Sequence, residues 1–190
     1  DEVHGEELWV SDGTRAGTRM VREIRAGVGS ISINYGEDAV QLVAVGHRVY
    51  FPAKDGRNGA ELWVSDGTPE GTHLVRELTP GGSTYPRFVT AVGDRAFLTS
   101  YAGDHAVLWV TDGTWQGTHR VRDFAWSTFG SRSQIAVLHD RLLFAASDRL
   151  WSSDGTREGT RVLHQFPASD GDGHPSNLTT VGGQVWFAAP

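Results

Sequence analysis

The sequence predicts an all-β protein, a β-propeller of four four-stranded antiparallel blades, and three observations lead there. A twelve-residue phrase occurs four times: ELWVSDGTRAGT from Glu7, ELWVSDGTPEGT from Glu61, VLWVTDGTWQGT from Val107 and RLWSSDGTREGT from Arg149. Its tryptophans, Trp9, Trp63, Trp109 and Trp151, stand 54, 46 and 42 residues apart, and wrapping from Trp151 through Pro190 to Trp9 gives 48. Periods of about 40 to 50 residues belong to propeller blades or helical solenoids. The local pattern separates these, because each unit carries short runs rich in Val, Leu, Tyr, Phe and Trp between turn formers, and no window holds helical spacing for three turns.

The first complete unit parses as runs Gln41–Val45, Arg48–Ala53, Glu61–Ser65 and Thr72–Leu78, joined by Gly46-His47, by a six-residue loop from Lys54 to Gly59 and by the Asp66-Gly67-Thr68 loop. That is a four-stranded meander. The Pro- and Gly-rich stretch from Thr79 to Arg87 is the crossover to the next blade. The same parse places complete blades at about 41–78, 88–124 and 134–166. A closing blade would be assembled from both termini, two strands from 177–190 and two from 7–24, so that residues 1–190 form one propeller domain. The alternative is a four-blade fragment of a larger propeller, since rings of about four to eight blades are usual.

These residues resemble a known family, the bacterial ELWxxDGT repeats, also called hyalin-like repeats. The resemblance covers essentially the whole chain and rests on LWVSDGTxxGT, the following VREI or VREL, the PGGS crossover and the VGGQVWF strand pair. It implies a propeller and an extracellular or cell-surface setting in a long secreted chain, with no catalytic activity. Two places depart from the pattern: the enlarged crossover Gly27–Ala39, and the third complete unit, where Ser147-Asp148 leads straight into Arg149-Leu150-Trp151.

Each repeated residue has a structural role to fill. The Asp-Gly pairs at Asp12, Asp66, Asp112 and Asp154 sit where a hairpin reverses, with the carboxylate accepting backbone N–H bonds and Gly taking positive φ. The four repeated Trp, each beside Leu on a strand covered on both faces, are expected to be buried and equivalent. The next strand alternates apolar and charged residues (Val21-Arg22-Glu23-Ile24, Val75-Arg76-Glu77-Leu78, Val121-Arg122-Asp123-Phe124), as suits an outer edge protected from aggregation. In the last unit His164 and Gln165 replace the Arg–acid pair, which weakens that protection and marks a contact.

Composition closes several function classes. With 17 basic and 23 acidic side chains the net charge is −6, and no basic stripe is present to neutralise phosphates, so nucleic acid is not a partner. Apolar runs stop at four or five residues, as at Leu142–Ala146, short of the roughly 20 a spanning helix needs, so no membrane insertion is expected. There are no cysteines for disulfides, thiolate metal sites or nucleophiles. The chain opens at Asp1 without Met or a signal-like segment, and reads as a mature or excised piece. The eight histidines lack paired ligand spacing, and no nucleophile elbow, P-loop or dinucleotide fingerprint occurs, so no catalytic residue and no cofactor is assigned. Asp170 and Asp172 stand at i and i+2, like the opening of a calcium loop, without its later acidic ligand; they are the only metal-ligand candidates and read as a solvated crossover.

Residues that break the repeat are where binding is expected. Trp115 fills a turn position held elsewhere by Arg15, Pro69 and Arg157, and Trp126 with Phe129 lies in a crossover. Together with Arg132 as a polar partner they are the candidate ligand-binding residues, read either as a recognition platform or as a local loop core. The loop Gly27–Ala39, with Tyr35, Glu37 and Asp38, is the second candidate. The expected function is a non-enzymatic extracellular module for protein or cell-surface recognition; the alternatives are a glycan-binding lectin and a structural spacer. Its partner would be a protein or glycan surface ligand, and self-association to complete a larger ring is a further expectation.

Overall fold

The repeated phrase alternates side chains across a strand and ends in turn residues, and it folds accordingly. In the computed structural model the described residues are 6–27, 30–31, 42–57, 59–80, 82, 84–102, 104–125, 134–167 and 174–190. They form sixteen strands and no helix longer than a single 3₁₀ position at Gln134. A first hairpin pairs β1 (Leu8–Val10) with β2 (Arg19–Arg22). Sheet 1 is the meander β3 (Val43–Val45), β4 (Arg48–Ala53), β5 (Glu61–Ser65) and β6 (His73–Arg76). Sheet 2 repeats it with β7 (Arg87–Val92), β8 (Arg95–Ala102), β9 (His105–Thr111) and β10 (His119–Ala125). Sheet 3 follows with β11 (Ile135–Leu138), β12 (Arg141–Ala146), β13 (Arg149–Ser153) and β14 (Arg161–Gln165). A last hairpin pairs β15 (Ser176–Val181) with β16 (Gln184–Ala188).

The three sheets agree in register. The phrase tryptophan faces the second strand at Phe51↔Trp63, Leu98↔Trp109 and Phe144↔Trp151. A register irregularity falls just before or after each of these tryptophans where it meets the fourth strand, so the kink is part of the repeat.

Packing between successive sheets makes the core. Leu8 and Val21 of the first hairpin pack with Phe51, Ala53 and Trp63 of sheet 1. Leu62 and Val75 of sheet 1 pack with Ala96 and Leu98 of sheet 2, and Trp109 adjoins them. Leu108 and Val121 pack with Phe144, Ala146 and Trp151 of sheet 3, where Phe124 meets Trp151 edge-on at 5.3 Å. Leu143, Ala145 and Leu150 of sheet 3 pack with Leu178 of the last hairpin. Each sheet therefore offers one apolar face forward and is covered by the next. The first strands of neighbouring units also lie side by side, β3 against β7 and β11 against β15.

Two expectations need correction. The terminal hairpins do not share a sheet: β1–β2 and β15–β16 are separate two-stranded sheets, because each packs on its own chain neighbour, one on sheet 1 and the other on sheet 3. The repeated tryptophans are not equivalent either. Trp63 and Trp151 are buried at 7% exposure and Trp109 is half-buried, whereas Trp9 is 50% exposed, with no sheet packed behind it among the described residues.

The DGTxxGT turn is built the same way four times. In sheet 1 the Asp66 carboxylate accepts from the Thr68 amide at 2.9 Å and its hydroxyl at 2.7 Å, while the Gly71 amide donates to the Thr68 hydroxyl at 2.9 Å. Thr72 then donates to the Thr68 carbonyl at 2.6 Å and meets Ser65 Oγ at 2.7 Å, tying the turn to both strands. Gly67 has φ +89°, and a Cβ on Gly71 would overlap the Asp66 carboxylate, which explains both glycines of the phrase.

Two substitutions test this account. Trp63→Ala should lower unfolding free energy by about 3–5 kcal/mol, and Gly71→Ala, by pushing Asp66 off its threonine, by roughly 1–3 kcal/mol. Denaturant unfolding reads both, and an unchanged midpoint for Gly71→Ala would show that the carboxylate swings aside at no cost.

Candidate functional site

The turn that caps β9 and β10 carries Trp115 outward. The Asp112–Thr114 hydrogen bonds, at 2.8 and 2.7 Å, fix the loop, and the Thr118 amide donates back to the Trp115 carbonyl at 3.4 Å. The indole is 56% exposed. Arg76 of β6 reaches across from sheet 1, donates to the Thr118 carbonyl at 2.8 Å and lays its guanidinium over the Trp115 ring at 4.4 Å. A cation on one face holds the ring in place and leaves the rest of it to solvent, a flat apolar surface with fixed orientation. Of the sequence-predicted binding residues, Trp115 alone is described; Trp126, Phe129 and Arg132 lie outside the described residues, as do Asp170, Asp172, Tyr35, Glu37 and Asp38.

A second feature was not anticipated. Between β10 and the β12–β13 turn a cleft of about 250 Å³ is lined by Arg122, Phe124, Ala146, Arg149 and Trp151 among others. Arg122 stands over the Trp151 ring at 4.8 Å. In sheet 2 the Trp109 indole N–H donates to Ser100 Oγ at 2.9 Å, but Ala146 holds the matching position in sheet 3, and the Trp151 N–H is buried without a partner. Arg149 Nε, 3.6 Å from Asp148, is likewise buried without a hydrogen bond. Buried donors in an arginine-lined cleft favour an acceptor oxygen from a carboxylate or carbonyl. The signal in the sequence was small: Arg149 stands where the other units begin the phrase with Glu7, Glu61 and Val107, and Ala146, like Ala53 of sheet 1, stands where sheet 2 has Ser100.

The missing glutamate matters because its counterparts are braces. Glu61 is buried and accepts from the Thr84 amide at 3.0 Å, from the Thr84 hydroxyl and from the Leu78 amide at 3.5 Å, which pins the crossover to the next sheet. Glu7 does the same with Ser30 Oγ at 2.6 Å and the Ile24 amide at 3.2 Å. Val107 and Arg149 stand at this position in the other two units.

The turn carboxylates are held below their ordinary range. For Asp12 and Asp66 the threonine hydroxyl bond leads and the amide bond follows. At Asp112 burial pulls the other way and the Thr114 bonds outweigh it, and at Asp154 the Thr156 amide leads. Burial instead raises Glu61, against the opposing bonds from Thr84. Among the described residues no three His, Asp or Glu side chains converge as a metal site.

No model of a known protein family matches the sequence, and no curated protein matches it. Among solved structures the chain is similar to an alpha-L-arabinofuranosidase, CtGH43, from Clostridium thermocellum, with 15% identity and a TM-score of 0.35 over 78% of this chain and 59% of that one. The chain thus spans about three-fifths of the length of that protein.

The carboxylates fix the sign of the pH dependence. Lowered folded values mean that the four turn aspartates contribute stability above the ordinary aspartate range, and that it is lost as pH falls through the lowered values. The raised Glu61 acts oppositely: its contribution is full below the ordinary glutamate range and is lost as pH rises through the raised value. Thermal midpoints followed across pH should show Asp66→Asn with a shallower acid decline than the parent, and Glu61→Gln with a smaller loss towards neutrality. Curves parallel to the parent would contradict both assignments.

Proposed function

We propose that this protein is a non-enzymatic β-propeller recognition module of the ELWxxDGT repeat type, acting outside the cell and binding a protein or cell-surface ligand through Trp115. Successive four-stranded antiparallel sheets, each covered by the next with first strands adjacent, support the propeller reading. One observation carries the binding reading: a large aromatic, exposed and oriented by Arg76, at a turn position that the other units fill with Arg or Pro. The repeated threonines, glycines and aspartates are engaged in the turn itself, whereas the outer part of this indole has no structural employment. A protein partner burying such a ring gains most of its affinity from a few residues of this kind.

The experiment is binding of purified protein to immobilised bacterial surface proteins and to a glycan array, with Trp115→Ala beside the parent. Loss of the Arg76 contact should cost about 1 kcal/mol or less in stability, while retention on the recognised surface should fall by roughly tenfold or more. Binding that survives the substitution moves the site away from Trp115. Capture on the glycan array alone would make the module a lectin.

A further inference from the structure

We propose that the cleft between sheets 2 and 3 is a second binding site, one that takes the carboxylate of an acidic side chain, Asp or Glu, from a protein partner. It is lined by the end of β10 that lies away from the Trp115 turn, so the two sites can fail separately.

Strand alternation sets up the donors. Arg149 and Trp151 stand two apart on β13 and so share a face, with Ala146 and Phe144 opposite them in register on β12. That face packs on sheet 2, where Phe144, Ala146 and Trp151 meet Val121 and Phe124. At its margin the packing leaves about 250 Å³. Two N–H groups of the lining residues, Trp151 Nε1 and Arg149 Nε, are shut away from water without an acceptor among the described residues. A buried donor left unmet is costly, and a ligand oxygen that meets it removes that cost on binding.

The matching boundary between the first hairpin and sheet 1 is bridged. There the connection from β4 to β5, residues 54–60, reaches back to Arg25, so that a Cβ on Gly56 would lie 3.2 Å from Arg25 Nε. In sheet 3 that connection is only Ser147-Asp148, and Ala125 stands where Arg25 does. A shortened turn and a truncated side chain thus open the cleft at an internal boundary of the fold. The charge is reversed as well. Glu61 holds the place of Arg149 in sheet 1, and its carboxylate accepts from the Thr84 and Leu78 amides at 3.0 and 3.5 Å. With Arg149 in that place the site offers donors and takes its carboxylate from outside.

The second wall adds another cation. Arg122 of β10 lies 4.8 Å over the Trp151 ring and reaches the Thr160 carbonyl by a long 3.4 Å bond, whereas its counterparts Arg22 and Arg76 hold theirs at 2.7 and 2.8 Å. The acidic neighbours are engaged: Asp123 accepts from Arg120 at 2.6 Å, and Asp148, 3.6 Å from Arg149, accepts from Gln165 at 3.0 Å. Two guanidinium groups beside one indole N–H suit a planar carboxylate, whose oxygens accept several bonds at once. A sugar acid fits less well, because the Trp151 ring is buried under Arg122 and against Phe144 and leaves no face for stacking. The volume also falls below the roughly 300–1,000 Å³ of sites for whole small molecules, as suits a single side chain.

The probe is the blocked peptide acetyl-Gly-Glu-Gly-amide, titrated into the isotope-labelled full chain beside its Gln counterpart and glucuronate. The assigned indole N–H resonance of Trp151 should move with the Glu peptide and stay in place with the other two. Arg149→Gln should weaken that binding about tenfold or more. Ala146→Ser, which copies Ser100 of sheet 2, gives the indole an acceptor of its own; it should abolish the response while strand circular dichroism and thermal midpoint hold at the parent's values or above. A Trp151 resonance unmoved by the Glu peptide, an equal response to the Gln peptide, a response to glucuronate alone, or a folded Ala146→Ser variant that binds like the parent would each overturn the proposal.

Discussion

The fold depends on one contact repeated along the chain: the leucine and valine on the last two strands of a unit are covered by the tryptophan and its facing aromatic or leucine in the next. A four-stranded sheet of five-residue strands has two faces and cannot bury either alone, so its stability is borrowed from neighbours. The exposure pattern follows from this. Where a following unit packs on them, Val21, Val75 and Val121 are buried, whereas Trp9 and Leu163, on which no further sheet packs among the described residues, are exposed. The polar turn repeats the same logic at the rim, where an Arg or His from one unit reaches the glycine carbonyl of the next turn. Apolar face and polar rim therefore fix the same relation between neighbours.

The turn is the part of the phrase with least freedom. Asp, both glycines and both threonines take part in one hydrogen-bonded loop, and the second glycine is required by the approach of the aspartate rather than by its own dihedral angle. The two residues between Thr and the second Gly enter it through the backbone, where the carbonyl of the first accepts from the second threonine's amide in three of the turns, and not through their side chains. Variation collects there, as Arg15-Ala16, Pro69-Glu70, Trp115-Gln116 and Arg157-Glu158. A scaffold that fixes its loop backbone so completely leaves two side chains for recognition, and the Trp115 indole clamped by Arg76 is the case in which one of them is large and apolar.

Much of this was legible in the sequence because the repeat is its own alignment. Comparing Glu61, Trp63 and the DGT residues across four units gave strand identity, turn position and the boundaries of the three complete sheets. The separation of the two terminal hairpins was not legible, since two hairpins with complementary strand patterns read as one sheet whether or not they meet. Nor was the cleft at Trp151, where Ala146 stands at the position from which Ser100 accepts the indole N–H in sheet 2, a difference that reads as conservative until the partner is seen. The braces made by Glu7 and Glu61 were also missed: a glutamate at the start of a strand suggests solvent, and only the buried Ser30 and Thr84 reveal its purpose.

The claim that stability lies in the contact between successive units is tested most directly by a double-mutant cycle across one such boundary, Val121→Ala on sheet 2 and Trp151→Ala on sheet 3, which share one apolar cluster. Unfolding free energies of the two single variants and the double variant should reveal a coupling of about 0.5–3 kcal/mol. Effects that add to within roughly 0.3–0.5 kcal/mol would mean that the two sheets are stabilised independently, and would contradict the account.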